Sequence, residues 1–301
     1  MVARTPGRWH GDATMSPIGA PRCQDAGMPA PGSALVTGAN RGIGRAVALE
    51  LARRGCPVVA TVRDPATAGP LLDAAAAEGL PVTVAPLDLE AVTPLDLPDD
   101  LRVVVNNAGL QTGYLPVEAV PLDAVRALVE TNYVGQIAVL QQVIPVLRRR
   151  GEGVICTVTS AAVLLASPFY AAYRASKAAL HALVETLAVE LAPFGIRVLE
   201  VMPGPVATDG LAGSEYLPAV ELPAYRAVAE RMMAGRDATR SLAVTPEAAA
   251  ARIVDTVLDD DAPMRTACDP VGDDLLAAWR STTDAQRLAR DLARYRPGVD
   301  A

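Results

Sequence analysis

A tyrosine and a lysine stand four residues apart in Tyr173-Arg174-Ala175-Ser176-Lys177. Lys177 is the single lysine of the chain, so every other one of the 27 basic residues is arginine. On a helix, residues four apart share a face and act on one object. A compact ammonium approaches a phenol or a sugar hydroxyl closely, where a planar guanidinium is a poor substitute. The pair therefore suggests proton transfer by a phenol whose pKa a neighbouring cation lowers. The plain alternative is a lysine that survived by chance. Ser160 lies thirteen residues before Tyr173, at the end of an apolar run containing Val158. It could face the phenol, although a serine there is more often a turn residue or a helix cap. Asn132, between Thr131 and Tyr133 in an apolar stretch, is a mediocre helix former whose setting hints at burial and hence a partner.

Two further clusters read as ligand cradles. In Thr37-Gly38-Ala39-Asn40-Arg41-Gly42-Ile43-Gly44 the glycines permit a tight turn and let backbone amides approach a pyrophosphate at a helix N-terminus. Asn106-Asn107-Ala108-Gly109 closes a later apolar run and could equally be a polar turn.

The elements that must position these residues alternate regularly from Ser33. Short apolar runs at 34–37, 57–62, 82–85, 103–105, 154–158 and 197–201 read as buried strands. Helical patterns separate them, among them long ones over about 122–148 and 167–192. Buried strands divided by helices predict an α/β fold: one Rossmann-like, doubly wound domain with a parallel sheet covered on both faces. Its bounds are read as 33–270. A loosely patterned segment over about 205–245, with Gly210, Pro218, Pro223 and Gly235, is a candidate substrate lid. Thr245-Pro246-Glu247 opens a further helix as cap and first turn. Residues 271–301 form an amphipathic helical tail, and the Pro- and Gly-rich residues 1–32 read as a disordered leader, with Met28 a possible start.

In their order, the glycine turn, the NNAG run, the helix asparagine, the serine before YxxxK and Pro203-Gly204 resemble the short-chain dehydrogenase/reductase family, over about Ser33 to Met264. Within it, the segment from Asn106 through Pro203 looks most like the hydroxysteroid and retinoid branch. The resemblance implies a catalytic tetrad of Asn132, Ser160, Tyr173 and Lys177. It also implies a ketone or aldehyde interconverted with an alcohol by hydride transfer, with Tyr173 as general acid and base. Ser160 would then hold the carbonyl oxygen, Lys177 would also bind ribose hydroxyls, and Asn132 would help hold a water linking the lysine to solvent. Implied cofactor contacts are Gly38, Asn40, Arg41, Gly42, Ile43, Gly44, Arg63, Asp88, Asn107, Ala108, Gly109, Tyr173, Lys177, Pro203, Gly204, Val206 and Thr208. Family members that prefer NAD carry an acid at the end of the second strand. The matching position is Val62, followed by Arg63. Arg63 and Arg41 together favour NADP(H) over NAD(H), because guanidinium geometry suits a 2′-phosphate. Asp64 would oppose this only if the register slipped by two; it reads as part of an Asp-Pro turn.

The same scaffold could serve an epimerase, dehydratase or cyclase, or a nucleotide sensor without turnover; a sensor has no need of Ser160 or Tyr173. Leu211, Tyr216, Leu217, Met232 and Met233 in the lid suit an apolar carbonyl or alcohol substrate, or else ordinary packing. A net charge of −7 disfavours nucleic-acid partners. No run of about 18 apolar residues indicates a membrane span. The scattered Cys23, Cys56, Cys156 and Cys268, with His10 and His181 as the sole histidines, offer no metal cluster and fit a reducing, cytoplasmic setting. A homodimer or homotetramer is expected from the resemblance, formed through the two long helices, whose Ala172, Ala175, Ala179 and Ala182 allow close approach.

Overall fold

The computed structural model describes residues 32–111, 114–208, 211 and 216–296. The expected leader lies outside the described residues, apart from Gly32. Seven parallel strands form one sheet in the order β3-β2-β1-β4-β5-β6-β7. They are β1 (Ser33–Thr37), β2 (Val58–Val62), β3 (Val82–Pro86), β4 (Leu101–Asn106), β5 (Gly153–Val158), β6 (Ile196–Val201) and β7 (Arg265–Thr266). Every residue of β1 and β5 is buried, as strands covered on both faces require. The six expected strands are all present. The seventh, only two residues long, carried no periodic signal.

Helices α1 (Gly42–Arg53), α2 (Gly69–Glu78), α3 (Leu122–Val129), α4 (Gly135–Arg150) and α5 (Ala171–Leu191) follow in chain order. Then come α6 (Arg226–Arg240), α7 (Pro246–Leu258), α8 (Pro270–Ser281) and α9 (Asp284–Tyr295). On one sheet face Val47 and Leu51 of α1 pack with Ile253 and Val254 of α7. On the other, Val139 and Val143 of α4 pack with Val184 and Leu187 of α5. Two aliphatic layers thus replace the missing aromatics, and each fully buried Leu, Val or Ile contributes about 1.5–3 kcal/mol of transfer free energy.

The strand order changes side at β1, which runs on to β2 on one side and is flanked by β4 on the other. Such a switch point opens a crevice beyond the carboxyl ends of the strands. Thr37 and Asn106 end β1 and β4 at that edge. At β5, Ser160 begins a short 3-10 turn (Ala161–Leu164) on the way to α5.

The long helix expected over about 122–148 is interrupted. Glu130–Val134 forms a π turn between α3 and α4, with Asn132 fully buried inside it. Gly135 then packs so closely on Leu89 that a β-carbon there would overlap the Leu89 carbonyl oxygen. The segment expected as a lid has its two ends joined by a parallel bridge from Val206 to Val244. Thr245 caps α7 as expected, accepting from the Ala248 amide at 3.1 Å.

Candidate active site

The glycine turn and the NNAG run are bound into one unit. Thr37 Oγ1 accepts the amides of Asn107 and Ala108, each at 3.0 Å. The Asn107 side-chain amide donates to the Thr37 and Gly38 carbonyls at 2.9 and 3.3 Å. A β-carbon on Gly38 would come within 2.8 Å of the Ala108 backbone. One on Gly44 would overlap the Gly38 carbonyl and the Asn107 amide. These approaches exclude any larger residue. Arg41, the N-cap of α1, is extended and makes no side-chain cap bond, and the first turn holds no acid. A helix N-terminus so arranged fits a pyrophosphate.

Of the remaining expected contacts, Gly42 faces Thr208, whose methyl would be 3.2 Å from a β-carbon. Asn40 reaches Thr67 at 3.5 Å, near the end of β2. Asp64 is committed locally, since its carboxylate accepts the Ala66 amide at 3.0 Å and caps the turn Pro65–Thr67. Arg63 beside it is exposed. Asp88 is also exposed and accepts the Glu90 amide at 3.0 Å. Ile43, Asn107, Gly109, Pro203, Gly204, Val206 and Thr208 line a cavity of about 360 Å³ together with Ser160, Tyr173 and Lys177.

Tyr173, Ser160 and Lys177 meet in that cavity, and the Ser160 hydroxyl acts to lower the Tyr173 phenol. Ser160 Oγ accepts the Ala162 amide at 3.2 Å, so it caps the turn while lining the cavity with the phenol. Lys177 is 5% exposed, and its ammonium donates to the Val158 carbonyl at 3.2 Å. Asn132 does not line the cavity. Its Oδ1 accepts the Leu110 amide at 2.6 Å, and its Nδ2 donates to the Leu110 carbonyl at 2.8 Å and to Ser176 Oγ at 2.9 Å. Ser176 donates on to the Tyr173 carbonyl at 2.8 Å. The asparagine thereby ties the loop after β4 to the helix carrying the tyrosine and lysine. A β-carbon on Gly109 would lie 3.1 Å from Asn132 Oδ1 and 3.2 Å from Lys177 Nζ, so glycine keeps the space between them open.

Burial pushes the Tyr173 phenol up to about 12; the Ser160 bond opposes this and the Tyr114 phenol adds to it. Because Tyr173 as a residue is only half-buried, water in the open cavity tempers that rise. The same desolvation pulls Lys177 down to about 8. The sequence expectation was a phenol lowered by its lysine. In the folded chain burial dominates both groups, and each is pushed towards its neutral form.

The structure adds residues that spacing did not single out. Tyr114 and Tyr170 stack at 4.6 Å between ring centres, and Tyr170 meets Tyr173 edge-on at 6.2 Å. Phe169, just before α5, has a left-handed backbone (φ 65°), an uncommon state for a bulky residue. Tyr170 stands three residues before Tyr173, a helical interval that could have drawn attention to it. Glu200, fully buried in β6, accepts from Thr159 at 2.7 Å and Arg265 at 2.6 Å, with His181 at 3.1 Å. Burial would raise this carboxyl, but the bonds from His181, Thr159 and Arg265 hold it below the usual range. This network fixes Thr159 and hence the strand end that bears Ser160. Asp269, also fully buried, accepts the amides of Gly204 at 2.6 Å and Gly272 at 2.8 Å, clamping the loop after β6 onto α8. Leu217 and Met232 of the lid pack against Tyr114 in a separate cluster, whereas Tyr216 is exposed and donates to Glu221.

The short-chain dehydrogenase family model matches residues 33–215. The chain belongs to the short-chain dehydrogenase family. It is 38% identical over 192 residues to an uncharacterised oxidoreductase of Myxococcus xanthus, covering 61% of this chain and 76% of that one. It is also 38% identical to bovine retinol dehydrogenase 8, over 60% of this chain and 61% of the relative. With human 17-beta-hydroxysteroid dehydrogenase type 1 the figures are 38%, 58% and 56%. The match thus spans less than two thirds of the length of these two animal enzymes. Among solved structures, a short-chain dehydrogenase from Streptomyces avermitilis aligns with a TM-score of 0.68 at 25% identity, over 91% of this chain and all of that one. One from Burkholderia cenocepacia in complex with NADP gives 0.66 at 25% identity, over 87% and 97%. The protein is an oxidoreductase of this family. No helix among the described residues is long and apolar enough to cross a membrane.

Proposed function

We propose that this dehydrogenase uses NADP(H) to interconvert a ketone or aldehyde and an alcohol. The observation that carries the reading is the convergence of Ser160, Tyr173 and the buried Lys177 in one cavity, onto which the glycine cradle opens. The cofactor, when bound, supplies or accepts hydride at the carbonyl carbon. Tyr173, held protonated by burial, donates to the carbonyl oxygen in reduction and recovers the proton in oxidation. Ser160 donates a hydrogen bond to the same oxygen, where charge develops. Lys177 lies close enough to the Gly109 gap to serve a ribose hydroxyl and to exchange protons towards Asn132. Arg41 and Arg63 flank the end of β2, where no free acid stands, which favours a 2′-phosphate. The NADP-bound relative supports the same choice. Asp88 and Asn40 are assigned to the adenosine.

The substrate has an apolar body. Leu165, Leu211, Met232, Val271 and Leu275 line the cavity, and the names of the retinol and hydroxysteroid relatives point the same way. The protein acts in the cytoplasm, in keeping with its buried free thiols Cys56, Cys156 and Cys268. It assembles as a homodimer or homotetramer through α3–α4 and α5, which expose Val129, Val134 and Val189. The test is a panel of ketones with NADPH and NADH, alongside Tyr173→Phe. Oxidation of NADPH in preference to NADH, lost in the variant, is the expected result. Product without cofactor consumption would move the protein to the epimerase or dehydratase class, and binding alone would make it a sensor.

A further inference from the structure

The cavity is charged on one side only. Its described lining includes Lys177, Arg236, Arg240 and Arg294 and no aspartate or glutamate, in a chain whose net charge is −7. Lys177 belongs to the catalytic floor, and Arg240 is paired with Asp237 at 3.4 Å. Arg236 is different. Its guanidinium lies 4.3 Å over the Tyr114 ring and 5.7 Å from that of Tyr170. Its Nη1 is buried without a hydrogen-bond partner, and no carboxylate among the described residues pairs with it. A buried guanidinium nitrogen left without an acceptor is costly unless a ligand supplies one. Arg294 of α9 packs beside α6, the helix that carries Arg236, its guanidinium 3.3 Å from where a β-carbon on Gly235 would be.

From this we infer that the substrate carries a carboxylate, held by Arg236 while its carbonyl faces Tyr173. The inference rests on the proposed carbonyl chemistry and names its substrate class, a keto acid or the matching hydroxy acid with an apolar body. Arg236 lies on the substrate side of the phenol: its rings lead through Tyr170 to Tyr173, whereas the pyrophosphate cradle is the separate turn at Gly38–Gly44. The Arg236 guanidinium and the Tyr173 ring are no farther apart than the Arg236–Tyr170 and Tyr170–Tyr173 distances laid end to end, within the span of a compact substrate. A cavity of about 360 Å³, shared with part of the cofactor, is near the small end of ligand pockets and favours a compact carboxylate over a bulky phosphate ester. The tyrosine rings fix the fork of the guanidinium for a bidentate contact.

The experiment compares an aromatic keto acid with its methyl ester, in turnover and in binding. Wild-type protein should prefer the acid by about 10- to 100-fold in kcat/KM, mainly through KM, as one charge-assisted contact allows. Arg236→Met, which keeps the aliphatic stem over Tyr114, should bring that ratio close to one, and Arg236→Lys should restore part of it. Calorimetric titration of the NADP+-loaded protein with benzoate and with benzamide gives a second reading that needs no turnover. Benzoate should bind more tightly, and Arg236→Met should remove the difference. No discrimination in either assay, or discrimination unchanged in Arg236→Met, overturns the inference. Failure of the loaded protein to bind benzoate would show that Arg236 serves the cofactor and would overturn it equally. If benzoate discrimination holds while neither substrate turns over, the carbonyl reading falls and the anion site stands.

Discussion

Replacing Lys177 with methionine should make the protein more stable and nearly inactive. Lys177 is 5% exposed, and desolvation lowers its ammonium from 10.5 to about 8. At pH 7 holding the charged form inside the fold therefore costs about 3 kcal/mol, at about 1.36 kcal/mol per unit. Methionine keeps the length of the stem and removes the charge. Its one loss is the donor to the Val158 carbonyl, worth about 1 kcal/mol. A net gain of about 2 kcal/mol remains, a rise in Tm of roughly 4–8 °C. The sign has a pH signature. Between about 8 and 10.5 the folded wild type binds fewer protons than the unfolded chain, so its stability climbs with pH across that window. The variant lacks that climb, and its advantage shrinks to nothing as pH approaches 10.5. Carbonyl reduction should fall about 10²- to 10⁴-fold, the range for a disabled acid–base system. Thermal unfolding by circular dichroism from pH 7 to 10, with turnover on the same samples, measures both. A variant less stable than wild type at pH 7 would refute the desolvation account, and one with near-normal turnover would refute the lysine's role in the reaction.

Three other outcomes are expected. The rate of reduction at saturating cofactor should hold steady up to about pH 8 and decline above it, as Lys177 loses its proton, and Lys177→Met should flatten the profile. Gly44→Ala drives a methyl into the Gly38 carbonyl and the Asn107 amide; fluorescence titration should show cofactor affinity reduced at least tenfold, and unchanged affinity would remove the cradle assignment. Glu200→Ala leaves Arg265, 8% exposed, with only the half-exposed Glu185 as counter-ion. Chemical denaturation should show a loss of about 3–5 kcal/mol, as for other broken buried pairs, with a larger loss of turnover than unfolding explains because Thr159 and Ser160 lose their anchor.

The periodicity of the chain was enough to give six of the seven strands, the parallel sheet and the cap of α7, because buried strands and amphipathic helices are written locally. The same holds for the glycine turn, where Gly38 and Gly44 stand at points of backbone contact that no other residue could occupy. The pairing of Tyr173 with Lys177 was legible because one helical turn joins them. What lay beyond reach depended on chain segments brought together from afar. Asn132 was expected in a regular helix, yet a π turn carries it to Leu110 and Ser176. Glu200 is a single acid in an apolar strand, and its role appears only where Thr159, His181 and Arg265 converge on it.

The sequence by itself determined the scaffold, the glycine cradle and the identity of the tyrosine–lysine pair, since each is encoded within one turn or one period. Only the tertiary structure decided the electrostatics of the site. Whether a phenol is raised or lowered depends on how much water the fold removes from it, and at Tyr173 burial is the largest influence. The same holds for Arg236, ordinary in an arginine-rich chain, which becomes an unpaired cation in a cavity without acids only when α6 folds over Tyr114 and Tyr170.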